Sequence, residues 1–126
     1  MFDAYAWVEY ALNGPKADKV NALLEGAAEA LTPASVIAEL KESMLKNKVE
    51  KEIMTQVINF IQSKSIVVEI DSKIGELAGV INYNHKKKIK DWGMLDSFVY
   101  AVSTAENGKV LTGDPHFKGL RDVIFL

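Results

Sequence analysis

Four carboxylates carry the chemistry that this sequence offers: Asp3, Glu39, Asp96 and Asp114. If they meet in a partly dry cleft they cannot all stay ionised, because like charges raise one another's pKa. A hard divalent cation resolves that conflict. The chain has no cysteine and two histidines, so thiolate and histidine cages are set aside, and oxygen ligands point to Mg²⁺ or Mn²⁺. Such ions, held by carboxylates, activate water and clamp a phosphodiester. The expected chemistry is metal-assisted phosphoryl hydrolysis. Each acid also has a plain structural use. Asp3 could be a turn residue, Asp96 could complement a helix dipole, Asp114-Pro115 could be a turn and cap, and Glu39 could lie on a solvated helix face. Convergence of all four is what favours chemistry.

The elements around these acids alternate between strand and helix patterns. Phe2 to Ala4 reads as a very short strand, and Asn13-Gly14-Pro15 stops the helix that follows it. A second short helix carries Val20, Leu23, Leu24 and Ala27, and Glu29 to Thr32 reads as a strand. Thr32 and Pro33 suggest a cap and first position for a third helix, with Val36, Ile37, Leu40 and Met44 on one face. A fourth helix carries Val49, Ile53, Val57, Ile58 and Ile61. Ser65 to Ile70 is a β-branched strand, and Asp71 caps a fifth helix with Ile74, Leu77, Ala78 and Ile81 on its face. After a charged linker from Lys86 to Gly93, a sixth helix spans Met94 to Asn107. Leu95, Phe98, Val99 and Val102 are expected to face inward, with Gly108 at the end. Strands follow at Lys109 to Thr112 and at Asp122 to Leu126.

Strands separated by helices predict parallel pairing with right-handed crossovers. The chain is therefore expected to be one α/β domain over residues 1–126, a small, mostly parallel sheet with helices on both faces. Ligands bind outside the carboxyl ends of the strands in such sheets. Asp3 ends the first strand, and Asp114 lies two residues past Thr112. Glu39 follows the second strand by about two helical turns, and Asp96 opens a helix antiparallel to the next strand. All four are expected on that one edge.

Composition narrows the alternatives. Apolar residues are 48% and charged residues 25% of the chain, which fits a packed globular domain and excludes a disordered one. The formal net charge of −2 excludes a protein that coats nucleic acid by bulk charge. No apolar run approaches the ~18 residues of a membrane-spanning helix, and no secretory leader pattern opens the sequence, so the expected location is cytoplasmic, with no membrane partner.

The ordered segments Phe2-Asp3-Ala4, Thr32 to Leu40, Gly93 to Ala101 and Lys109 to Phe117 resemble the PIN domain, and within it the VapC-like ribonuclease toxins of toxin–antitoxin pairs. The Thr112-Gly113-Asp114-Pro115-x-Phe117 element after a strand is the most specific part. The resemblance spans essentially the whole chain. It implies a three-layer sandwich with strand order 3-2-1-4-5 and a Mg²⁺-dependent site (Mn²⁺ being the other candidate ion) that cleaves single-stranded RNA. It matches Asp3, Glu39, Asp96 and Asp114 to the family's acidic quartet and Thr112 to a hydroxyl position beside the last acid. It also implies a homodimer and a small antitoxin protein as partner. The sequence departs from the family in having only two residues before Asp3 and in placing Ala4-Tyr5 where small hydroxyl residues are common.

Other residues have plainer readings. His116 is taken as structural or solvated, and Trp92 and Phe117 as packing near the cleft rim rather than as base-stacking surfaces. Trp7 and Tyr10 could face the core or a second subunit. The run Lys86-Lys87-Lys88 with Lys90 suits a solvated helix end, with RNA backbone contact as the alternative. A receiver domain would need adjacent acids after its first strand, and here Ala4 follows Asp3. The stronger rival is a noncatalytic PIN-like module that binds RNA or a protein.

Overall fold

A computed structural model describes residues 1–27 and 29–126. Its elements in order are helix α1 (Ala4–Ala11), α2 (Ala17–Gly26), strand β1 (Leu31–Pro33), α3 (Ala34–Lys46) and α4 (Lys51–Lys64). They continue with β2 (Ile66–Val68), α5 (Ser72–His85), α6 (Met94–Ala105), β3 (Val110–Thr112), a 3₁₀ turn (Pro115–Phe117) and β4 (Val123–Phe125). Among the described residues, no helix is long and apolar enough to cross a membrane.

Local sequence explains where the helices begin and end. Asp3 and Asp71 cap α1 and α5, their Oδ1 atoms accepting the N–H groups of Ala6 at 3.0 Å and Ile74 at 2.9 Å. Three helices close with a left-handed residue that lets the last carbonyls be satisfied. Asn13 (φ 50°), Lys48 (φ 55°) and Asn107 (φ 52°) take that conformation after α1, α3 and α6. The expected glycine stop of α6 is thus displaced by one residue. Asn107 makes the reversal, and Gly108 follows it, donating its N–H to the Ser103 carbonyl at 2.9 Å.

The strands form two separate parallel pairs rather than one continuous ladder. β1 pairs with β2 in the register Thr32 to Val67, and β3 pairs with β4 in the register Leu111 to Ile124. The first residues reach both pairs. Phe2 donates its N–H to the Leu31 carbonyl at 2.8 Å and forms a parallel bridge with Leu111, whose N–H reaches the Met1 carbonyl at 2.7 Å. So short a segment provides a single bridge and no ladder.

Three sequence expectations shift here. Thr32 was expected to cap α3, but Pro33 occupies the cap position. The Thr32 hydroxyl is instead used in the interior, where it accepts Trp7 Nε1–H at 3.1 Å and lies 2.7 Å from Ser65 Oγ. Leu95 was expected to face inward but is 46% exposed, and α6 buries Ser97, Val99, Ala101, Val102 and Ser103. On α4, likewise, Met54 and Ile61 are buried while Ile53 is exposed.

Two aromatic clusters anchor the core. Trp7 is buried, 5.2 Å from the Phe2 ring and edge-on to Tyr10 and Phe60. Trp92 and Phe117 are both buried with centroids 5.1 Å apart, so both rings pack rather than present a face to solvent. Trp92 Nε1–H finds the Ser97 hydroxyl at 2.7 Å, which satisfies its polar edge as burial demands. This second cluster fixes the start of α6 and the 3₁₀ turn, the two places from which Asp96 and Asp114 project. The lysine run lies in exposed turns after α5, where Lys87 Nζ sits 3.9 Å from the Tyr83 ring centroid.

Candidate active site

Asp3, Glu39, Asp96 and Asp114 line one cavity of about 160 Å³, with Tyr5 and Phe117 among its other walls. The sequence places them far apart, and four different elements deliver them. Asp3 comes from the cap of α1, Glu39 from α3 and Asp96 from the first turn of α6, while Asp114 caps the 3₁₀ turn.

Backbone donors hold three of the carboxylates. Asp3 is buried and tied to Ala6 by its capping bond. Asp96 Oδ2 accepts the Gly93 N–H at 3.0 Å, closing the start of α6. Asp114 Oδ1 accepts the His116 N–H at 2.9 Å, and the Asp114 N–H itself donates to Thr112 Oγ1 at 2.9 Å. Thr112 is fully buried, so its hydroxyl fixes the path of the chain into Asp114.

The electrostatics match the crowding. Burial pushes Asp3 up to about 7; the neighbouring Asp114 charge adds to this, and the Thr112 hydroxyl and the Ala6 N–H oppose it. Glu39 is also raised to about 7, first by burial and then by the charges of Asp3, Asp96 and Asp114. These groups favour a proton, or a cation in its place. The donor set fits a divalent ion: ligand atoms of Asp96, Asp114 and His116 lie within 4.8 Å of one another, and the other two acids face the same cavity. Carboxylate oxygens suit Mg²⁺ or Mn²⁺.

His116, read from sequence as structural or solvated, stands inside this group. Its Nδ1 lies 3.1 Å from Asp96 Oδ2 and 3.7 Å from Asp114 Oδ1. The local signal for it is the Asp-Pro pair, which starts a tight turn and folds the next residue back onto the acid. Tyr5, which in the sequence is only a departure from the family pattern, also lines this cavity. Its ring lies against Gly113, so closely that a Cβ there would overlap it. A larger cavity of about 720 Å³ lies between α1, α3 and α4, walled by residues such as Trp7, Met44, Val57 and Phe60, and among the described residues no carboxylate lines it.

Comparison with known proteins agrees with this architecture. The family model for the PIN domain matches residues 1–123, so the chain belongs to the PIN domain family. Several solved structures share the fold. VapBC2 from Rickettsia felis, bound to a DNA fragment from its promoter, has TM-score 0.77 at 19% identity, covering 100% of this chain and 96% of the other. Mycobacterium tuberculosis VapC20, a Sarcin-Ricin loop cleaving toxin, has TM-score 0.76 at 13% identity, covering 97% and 95%. A toxin–antitoxin complex from Klebsiella pneumoniae has TM-score 0.73 at 15% identity, covering 98% and 93%. No curated protein matches the chain in sequence.

Proposed function

We propose that this PIN domain is a Mg²⁺-dependent endoribonuclease that cleaves single-stranded RNA, acting as the toxin of a toxin–antitoxin pair. The observation that carries the reading is the meeting of Asp3, Glu39, Asp96 and Asp114 around one small cavity. Membership of the PIN family supports it, as does the fold shared with proteins described as toxins and toxin–antitoxin complexes. A small antitoxin protein is the partner this reading calls for, and a homodimer is the assembly proposed with it.

Asp3, Asp96, Asp114 and Glu39 are the residues that would hold Mg²⁺, or Mn²⁺ in its place. Such an ion supplies a lowered water pKa and a positive charge for the phosphate. The side chains supply order. The Thr112 hydroxyl sets the backbone leading to Asp114, and the Gly93 N–H fixes one oxygen of Asp96. Glu39, half-buried and raised to about 7 by burial and by the charges of Asp3, Asp96 and Asp114, is a carboxylate that a cation in this cavity would hold ionised. No cysteine exists to act as a nucleophile.

The test is incubation of the full chain with single-stranded RNA in Mg²⁺ and in excess EDTA. Cleavage in Mg²⁺ alone is expected. RNA binding without cleavage under either condition would favour the noncatalytic module.

A further inference from the structure

The geometry points to His116 as a positioning residue that orients the Asp96 carboxylate for the cation through its Nδ1–H. The inference rests on the metal-dependent reading above and adds a residue outside the acidic quartet.

Asp96 Oδ2 faces two donors, the Gly93 N–H at 3.0 Å and His116 Nδ1 at 3.1 Å. A carboxylate that holds a cation only accepts hydrogen bonds, so the proposed contact uses the tautomer with the hydrogen on Nδ1. With Oδ2 occupied by two donors and no protein donor on Oδ1 among the described residues, Oδ1 is the atom left for a cation. Residue 116 ties the other acid as well, because its backbone N–H donates to Asp114 Oδ1 at 2.9 Å. One residue therefore contacts the carboxylates at the starts of two separate elements.

Its own position is fixed from both sides. Pro115 precedes it in the 3₁₀ turn, and Phe117 follows it, buried against Trp92. The turn therefore holds the backbone of residue 116 where its imidazole reaches both acids. Hydrogen-bond partners that orient ligating carboxylates are typically worth about 10–100-fold in metal affinity. Gly93 and the residue 116 backbone supply N–H groups that no side-chain substitution removes, so the imidazole is the part of this arrangement open to mutation.

The experiment measures Mn²⁺ affinity of the full-length protein by electron paramagnetic resonance, using the signal of free Mn²⁺, for wild type, His116→Ala, His116→Asn and His116→Gln. The amide nitrogen of asparagine falls near the position of Nδ1, whereas that of glutamine falls near Nε2. His116→Ala and His116→Gln should bind about 10–100-fold more weakly, and His116→Asn should restore most of the affinity. Circular dichroism in EDTA should be the same for all four, which separates orientation of the acid from support of the fold. Equal affinity in all four proteins would overturn the inference. So would ¹⁴N coupling from His116 to bound Mn²⁺, which would place the ring on the ion itself. Wild type that binds no Mn²⁺ and leaves RNA intact would remove the metal-dependent reading, and this inference with it. Mn²⁺ binding by wild type matched by His116→Ala would remove only the inference.

Discussion

The Thr112 hydroxyl accepts the Asp114 N–H at 2.9 Å from a side chain with no exposed surface. That bond turns the chain out of β3 and aims Asp114 at the cavity, while the same hydroxyl lies beside Asp3 and opposes the rise in its pKa. Thr112→Val keeps the shape and removes the acceptor, stranding a part-buried N–H. A loss of about 1–3 kcal/mol is expected in urea unfolding, with Thr112→Ser recovering most of it. Valine behaving like threonine would mean that the hydroxyl does not hold the turn.

Asp3 and Glu39 give the metal-free protein an inverted acid response. Both are raised to about 7 in the fold, above their ordinary carboxylate values. Between about pH 4 and about pH 7 the native state thus holds protons that the unfolded chain has released. Their contribution is fully present below the unfolded values and is lost as pH rises through about 7. Melting in EDTA should therefore fall by several degrees from about pH 5 to about pH 8, and Mg²⁺, which favours the ionised acids, should recover that loss at the higher pH. A metal-free melting temperature that rises across this range would contradict the prediction.

Much of this arrangement is legible in the sequence, for local reasons. The Asp71 cap and the Asn13-Gly14-Pro15 stop need only neighbouring residues, the parallel pairing follows from strands alternating with helices, and the acids follow from where strands end in an α/β chain. What misleads is competition between local and tertiary uses of one side chain. Thr32 has the hydroxyl of a cap, yet Trp7 and Ser65 claim it. Leu95 shares a helical face with Phe98, Val99 and Val102, but the start of α6 has no cover there. The one continuous sheet expected becomes two pairs because Met1 to Asp3 is too short to form a ladder. His116 is hidden for a different reason, since its partner Asp96 lies twenty residues away and only the folded 3₁₀ turn brings them together.

Gly113 is a close-approach glycine, because the Tyr5 ring occupies the place of its missing side chain. Gly113→Ala should push that ring off the cavity wall and cost about 1–3 kcal/mol. Tyr5→Ala should relieve most of this, so the double variant should be more stable than the two separate losses predict. Simple additivity in chemical denaturation would show that ring and backbone are not in conflict.

Asp96 gives the sharpest test of the chemistry. Its Oδ2 closes the first turn of α6 by accepting the Gly93 N–H, a bond that the amide oxygen of asparagine can keep. The side chain is part of the cavity wall, and Leu95 beside it is exposed, so no core packing depends on the substitution. Asp96→Asn therefore removes a negative charge while leaving the shape and the helix start in place. Its melting temperature in EDTA should match or exceed wild type, because one source of repulsion on Glu39 is gone. Metal-dependent cleavage of single-stranded RNA should fall by more than about 100-fold, since loss of a direct metal ligand is expected to exceed the loss of an outer partner. Cleavage at the wild-type rate by a folded Asp96→Asn protein would remove Asp96 from the active site, and with it the four-carboxylate mechanism.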